Sequence, residues 1–289
     1  MTDLRVQNGS ISLACTRSGT TEAPPVLFLH GITGCRSSWL ESTERLGDRF
    51  DCWTLDFRGH GESDRAPDTY RIQGYASDAV AVLDQVGRPT VVVGHSLGGM
   101  TALQIGHAGH PLVGALFLED PPLSASDPTA FAATNFPRVF AMLREALLQL
   151  RDQGAPFEAY LSLAANSPSP MGGVIGDHLT PRHVRNRGLQ MYQFDPSCLD
   201  AAIDGSVFAA FDATQPLVCP VTVLAANQAY GAAFLPGDGE VLKESTPNAR
   251  VIEFPEVGHL VRASTVSEAR FLDELDAFVT ANSTHTSTR

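Results

Sequence analysis

Ser96 is the serine whose surroundings best suit nucleophilic chemistry. It lies in Gly94-His-Ser-Leu-Gly98, which fits G-x-S-x-G, follows an apolar run and precedes a helical pattern. A sharp turn from strand to helix holds such a serine in a strained backbone conformation and directs the helix N-terminus at developing negative charge. Glycine is needed at 94 and 98 because a side chain there would collide with neighbouring backbone. We therefore predict that Ser96 is a nucleophile.

His259 is the predicted general base, because a serine hydroxyl becomes an effective nucleophile only when a neutral imidazole takes its proton. Of the nine histidines, His259 alone lies in a Gly-His turn after the last strand-like run. His95 is interpreted as a packing residue. His178 and His183 show no acidic partner pattern at metal-ligand spacing, so no metal site is predicted.

Short apolar runs alternate with longer amphipathic segments along most of the chain. Continuous apolar strands are typical of a sheet covered on both faces, and strand–helix alternation predicts a parallel α/β sheet. The first 20 residues predict an antiparallel hairpin (3–8 and 10–17) at the sheet edge. The predicted strands are 26–30, 52–56, 90–94, 113–118, 221–225 and 251–254, and the predicted helices are 38–48, 70–87, 97–109 and 264–281.

The alternation stops between about 122 and 216, where the sequence is helical and interrupted by prolines. Such an insertion is too long for a loop and predicts a helical cap. Residues 1–121 and 216–289 are then the core, and residues 122–215 are the cap. The predicted cap helices are 128–153, broken near Pro137, then 156–166, 181–193 and 197–211.

Four motifs in this order resemble those of the α/β-hydrolase fold family. They are the turn around Ser96, His30-Gly-Ile-Thr-Gly34, the D-x-R-G-x-G-x-S stretch at 56–63, and Gly258-His259. The resemblance implies a mostly parallel eight-stranded sheet flanked by helices, with the cap inserted between strands six and seven. It also implies an oxyanion hole formed by the backbone N–H groups of Leu97 and Ile32, a pair of donors fixed before reaction.

The acid that orients His259 departs from the commonest family pattern. Most relatives carry aspartate after the seventh strand, where this chain has Ala229. Glu119 follows the sixth apolar run directly, and some superfamily members, including haloalkane dehalogenases and a class of lactonases, place a glutamate there. Glu119 is therefore the predicted acid, with Asp120 and Asp238 as alternatives.

Serine as the nucleophile implies attack on an acyl carbonyl, whereas related dehalogenases and epoxide hydrolases use aspartate. The expected reaction is hydrolysis of a carboxylic ester or lactone of a small apolar substrate, through an acyl-serine intermediate and without a cofactor. Two alternatives stay open. One is hydrolysis of a carbon–carbon bond on the same fold, and the other is a non-catalytic protein that binds a small ligand.

Composition excludes several other classes of protein. The formal net charge of −12 and a single lysine disfavour binding to nucleic acid or to anionic membranes. Five scattered cysteines form no C-x-x-C pair, which argues against a disulfide scaffold and a thiolate zinc site. With no leader or membrane-spanning pattern, a cytoplasmic location is expected.

Overall fold

Eight strands form one sheet in the computed structural model, which describes residues 1–283. The strands are β1 (Thr2–Asn8), β2 (Ile11–Gly19), β3 (Pro25–Leu29), β4 (Asp51–Leu55), β5 (Thr90–His95), β6 (Val113–Glu119), β7 (Val221–Ala226) and β8 (Arg250–Phe254). Their order is β1-β2-β4-β3-β5-β6-β7-β8. Only the β1–β2 and β2–β4 pairings of these strands are antiparallel. This mostly parallel sheet with an antiparallel hairpin at one edge confirms the predicted fold class.

Both faces of the sheet are covered, which explains why its strands are apolar along their length. Because consecutive side chains of a strand point to opposite faces, β3 contributes to two separate cores. Leu27 and Leu29 belong to the core on one side. Val26 and Phe28 belong to the core on the other. The carboxyl ends of the parallel strands are thereby held in a fixed row.

Five α-helices belong to the predicted core segments: α1 (Leu40–Leu46), α2 (Ile72–Val86), α3 (Leu97–His107), α9 (Asp238–Ser245) and α10 (Glu268–Ser283). Helices α2 and α3 pack on the face that contains Leu29, and α1 and α10 pack on the opposite face. The segment predicted as one helix at 38–48 is a 3-10 turn followed by α1. Helix α9 was not predicted. The last part of the predicted core, 284–289, lies outside the described residues.

The chain between β6 and β7 is helical, as predicted. Its α-helices are α4 (Pro128–Ala132), α5 (Phe136–Asp152), α6 (Phe157–Asn166), α7 (Pro181–Gln193) and α8 (Cys198–Ile203). The predicted break near Pro137 is present between α4 and α5. The predicted helix at 197–211 is wrong in length, because Gly205 adopts a left-handed φ of 77° soon after α8 ends. The exact division into core and cap stays a prediction. Within the described residues, no helix is both long and apolar enough to cross a membrane.

Candidate active site

Ser96 occupies a strained turn between β5 and α3. Its backbone has φ 50° and ψ −113°, in a region that side-chain-bearing residues rarely adopt. Two glycines make the turn possible. A Cβ at Gly98 would lie 2.0 Å from the carbonyl oxygen of Leu29, and one at Gly94 would lie 2.4 Å from the carbonyl oxygen of Gly98. The sequence prediction of a tight turn at Ser96 therefore has a direct steric explanation.

The loop after β3 approaches this turn closely. A Cβ at Gly31 would lie 2.5 Å from Nδ1 of His95 and 3.2 Å from Cβ of Ser96. Ile32 and Leu97, the two predicted oxyanion-hole residues, line the same cavity as Ser96. Leu97 is also the first residue of α3, so its N–H has no carbonyl partner within the helix. The structure thus brings the predicted nucleophile and both predicted donors together.

His259 lies at the same end of the sheet, in the loop after β8. Its Nδ1 is 2.6 Å from Oδ2 of Asp120, a residue with no exposed surface. Phe136, which lines the cavity with Ser96, packs edge-on against the His259 ring at a centroid distance of 5.8 Å. A carboxylate on Nδ1 favours the tautomer that carries its proton there and leaves Nε2 as a proton acceptor.

His95, interpreted from sequence as a packing residue, contacts His259 twice. The two imidazole rings lie 4.6 Å apart, and Nε2 of His95 lies 3.1 Å from the carbonyl oxygen of His259. Burial lowers the pKa of His95 well below its usual range, so the ring is neutral and its Nε2–H donates to that carbonyl. His95 therefore fixes the backbone of His259 without placing a second positive charge beside it.

The carboxylate of Asp120 accepts four hydrogen bonds in the described structure. Its carboxylate accepts from the backbone N–H groups of Ala226, Ala233 and Phe234, at 3.2, 2.7 and 3.2 Å, in addition to His259. Those three amides belong to β7 and the segment after it, the region in which the family resemblance implies an aspartate. In this chain, that region supplies backbone hydrogen-bond donors to Asp120, which directly follows β6.

The prediction that Glu119 orients His259 is wrong, because the two side chains do not pair in the structure. Glu119 is fully buried, but it pairs with Arg262: Oε1 accepts from the Arg262 backbone N–H at 2.8 Å, and Oε2 lies 2.7 Å from Nη1. The guanidinium also donates to the carbonyl oxygen of Ser38 at 3.2 Å and lies 4.7 Å from the ring centre of Trp39. Glu119 therefore anchors the loop three residues beyond His259.

The alternation of side chains along β6 explains this outcome. Phe117 belongs to the core on the α10 side of the sheet, and Leu118 belongs to the core on the other. Glu119 continues the strand and so shares the side of Phe117, where Arg262 lies. Asp120 follows the strand with a left-handed φ of 47°, which turns its side chain toward His259. Of the acids considered from sequence, Asp120 is the one that contacts the histidine.

Asp238, the other alternative acid, has different partners. Its carboxylate accepts from the Ser124 hydroxyl and from the backbone N–H of Leu235, the latter at 2.8 Å. Burial raises the pKa of this carboxyl above its usual value. Asp238 joins the start of α9 to the chain that follows β6, and it does not hydrogen-bond His259.

His30 is a supporting residue for which the sequence analysis predicts no role beyond its motif. Its Nδ1–H donates to the carbonyl oxygen of Gly31 at 2.8 Å, and its Nε2 accepts from the N–H of Phe57 at 3.1 Å. Burial lowers the pKa of His30 to about 3, which keeps the ring neutral. The ring of His60, whose pKa burial also lowers to about 3, packs against it at 4.9 Å. This pair fixes the loop that carries Ile32.

The cavity beside Ser96 is apolar and small, with a volume of about 30 Å³ open to the centre of a water-sized sphere. Its walls come from the loop after β3, the end of β6 and the helices of the predicted cap. Apart from Ser96, the residues that line it are Ile32, Leu97, Pro122, Phe131, Phe136, Phe140, Ala202, Val207, Phe208 and Ala233. None of these described lining residues carries a charged side chain, so the cavity suits uncharged hydrocarbon groups.

Comparison with known proteins agrees with this architecture. The model of the alpha/beta hydrolase family matches residues 26–273. Among curated proteins, the chain is 36% identical over 100 residues to 2-(acetamidomethylene)succinate hydrolase from Mesorhizobium japonicum. That match spans 34% of this chain and 35% of the relative, so the aligned part is about a third of the relative's length.

Solved structures match over nearly the whole chain. An N-formylmaleamic acid deformylase from Pseudomonas putida superposes with a TM-score of 0.74 at 20% identity, over 94% of this chain and 100% of the other. An enol-lactonase from Burkholderia xenovorans superposes with a TM-score of 0.70 at 17% identity, over 96% and 100%. At these identities the likeness shows the fold alone.

The different partners of Asp120 and Glu119 predict different effects of removing each charge. Asp120→Asn should abolish the strongly downfield proton resonance expected of an imidazole Nδ1–H bonded to a carboxylate. Glu119→Gln should retain that resonance but lower the free energy of unfolding by about 1–3 kcal/mol, because Arg262 loses its buried counter-charge. NMR of both variants and denaturant titrations would test this. Loss of the resonance in Glu119→Gln alone would contradict the assignment.

The buried histidines predict acid sensitivity of the fold. The pKa values of His30 and His60 are lowered to about 3, below the usual 6.5 of an unfolded chain. Between these values the unfolded chain binds protons that the folded chain excludes, so stability present above pH 6.5 is lost as the pH falls. Each histidine should contribute a slope approaching about 1.4 kcal/mol per pH unit.

Denaturant titrations from pH 7.5 to 5.0 would measure this slope, above the range in which most carboxylates titrate. His60→Gln lacks one titrating group and should show a shallower dependence than the unchanged chain. A free energy of unfolding that stays constant from pH 7 to 5 would contradict the prediction.

Proposed function

This chain belongs to the alpha/beta hydrolase family, and on that premise we propose that it is a serine hydrolase of small, uncharged esters or lactones. Ser96 is the proposed nucleophile, His259 the base and Asp120 the acid. The observation that carries the proposal is the 2.6 Å contact between His259 and a fully buried Asp120, beside the cavity that contains Ser96.

The proposed reaction has two halves. In the first, Nε2 of His259 accepts the hydroxyl proton of Ser96 as Oγ attacks the acyl carbonyl, and the imidazolium then protonates the leaving alkoxide. In the second, His259 removes a proton from water as the water oxygen attacks the acyl carbonyl, and the imidazolium returns that proton to Oγ of Ser96 as the acyl–oxygen bond breaks and the acid leaves. Asp120 stabilises the imidazolium that forms in each half.

The developing oxyanion is the other charge that the site must stabilise. The backbone N–H groups of Leu97 and Ile32 are its proposed donors, and each such donor is worth on the order of 3 kcal/mol of barrier. The neutral state of His30 supports this role, because its hydrogen bonds with Gly31 and Phe57 fix the loop that carries Ile32. A fixed loop avoids the cost of reorganising donors during the reaction.

The apolar cavity does not suit the charged substrates for which some similar proteins are named. A succinate derivative and a maleamic acid, named for two similar proteins, carry carboxylates. A carboxylate in the cavity beside Ser96 would lose its hydration and find no charged partner among the lining residues. We therefore propose short, neutral acyl groups as substrates, as in the ester and lactone chemistry for which other neighbours are named.

Steady-state hydrolysis of aryl esters would test the proposal. We expect turnover of p-nitrophenyl acetate and butyrate, and a kcat/KM at least about 100-fold lower for the charged p-nitrophenyl hemisuccinate, for the desolvation cost given above. Ser96→Ala and Asp120→Asn should each lower kcat by about 10⁴-fold or more, whereas the matched control Glu119→Gln should stay within about 10-fold.

The outcomes distinguish the competing functions. A mass increase equal to the acyl group on Ser96, seen after an acid quench, would support the acyl-serine intermediate. Equal turnover by Ser96→Ala would overturn it. Turnover of a diketone but of no ester would favour carbon–carbon bond hydrolysis, and tight ligand binding without turnover would favour a binding protein.

A further inference from the structure

Three side chains of metal-ligand type meet where α7 contacts two helices of the core. Glu41 lies in α1, His183 in α7 and Glu268 at the start of α10. One ligand atom from each lies within 4.8 Å of the others. The residues are far apart in the sequence, so no spacing pattern reveals the cluster. None of them lines the cavity beside Ser96.

The Glu41 carboxylate of the cluster has an ion pair but no hydrogen bond in the described part of the chain. Nε2 of His183 lies 3.0 Å from Oε1 of Glu268, and Nδ1 lies 3.9 Å from Oε2 of Glu41. Both carboxylate oxygens of Glu41 are buried, and neither accepts a hydrogen bond in the described part of the chain. Among the described residues, the guanidinium paired with this carboxylate is that of Arg182, whose Nε lies 3.0 Å from Oε1.

Charge balance favours an additional cation. The guanidinium of Arg182 is engaged in two hydrogen bonds with Glu44, at 2.9 and 2.7 Å. Arg182 thus supplies one positive charge to two carboxylates, those of Glu41 and Glu44, and the carboxylate of Glu268 adds a third negative charge beside His183. A divalent cation would neutralise this excess negative charge, and burial makes such neutralisation valuable.

We propose that Glu41, His183 and Glu268 bind a divalent transition-metal ion, with Zn²⁺ as the best match. One imidazole nitrogen and two carboxylates are ligands that suit Zn²⁺, and water would complete a tetrahedral shell. Binding exchanges the hydrogen bond between His183 and Glu268 for coordination of both groups to the ion.

The ion would join the helical segment between β6 and β7 to the core. The chain just before α7 is already attached at this point, since the Thr265 N–H donates to the carbonyl oxygen of His178 at 3.0 Å and Leu179 forms a bridge with Ser264. A metal ion would add a tie from α7 to α1 and α10. Its role is structural and does not depend on the proposed esterase activity.

Zinc titration of the whole chain, after removal of metals with a chelator, would test the site. We expect one equivalent of Zn²⁺ to bind by calorimetry and to raise the melting temperature by about 5 °C when its concentration is 100 times Kd. Chelator should reverse the rise. Co²⁺ in place of Zn²⁺ should give the visible absorption of a tetrahedral site.

Three variants would test whether the ion binds to this cluster. His183→Gln and Glu268→Gln should each abolish the zinc-dependent rise, and their melting temperatures in chelator show that they fold. Glu44→Gln, which removes a neighbouring charge but no ligand, should retain it. Absence of any rise in the unchanged chain, or an equal rise in His183→Gln, would overturn the proposal. Stability that depends on pH but not on zinc would also overturn it, and would indicate that the His183 imidazole pairs with the two carboxylates without a metal ion.

Discussion

The arrangement at the carboxyl edge of the sheet depends on one buried carboxylate, that of Asp120. A buried charge is stable in a fold only when donors replace the water that it has lost. Asp120 meets this condition with three backbone amides and the imidazole of His259. Because the amides belong to β7 and the chain after it, and the imidazole follows β8, a single side chain fixes the ends of three neighbouring strands.

The residue before it gives the same loop a second anchor. Glu119 points to the other side of the sheet and holds Arg262, while Asp120 holds His259. Two consecutive acids therefore secure two points of one short loop. Hydrogen bonds at both points restrict the rotation of the imidazole more tightly than either alone. The neutral ring of His95 packs against the imidazole of His259 at a tilt of 43°.

Most of the fold and half of the site could be predicted because their signals are local. Apolar runs predict strands, and the glycines around Ser96 predict its turn, since both depend on residues adjacent in sequence. The choice between Glu119 and Asp120 depended on the residue at which the alternation of side chains along β6 ends. An error of one residue in that position reverses the choice. One signal was available, because aspartate adopts a left-handed φ more readily than glutamate. No sequence pattern predicts the contact between Glu41 and His183, because tertiary packing alone brings these residues together.

The origin of the acid has an evolutionary consequence. The N–H of Ser96 donates to the carbonyl oxygen of Glu119 at 2.9 Å, so the pairing of two adjacent strands sets the relative position of the proposed nucleophile and the proposed acid. The helical segment that covers the cavity enters the chain only after Asp120. Replacement of that segment by another through recombination would leave the registration of Ser96 and Asp120 intact. The proposed reactive residues and the segment that covers the cavity can therefore diversify separately, and a lineage with this layout can acquire a new cavity lining while Ser96 and Asp120 keep their relative position.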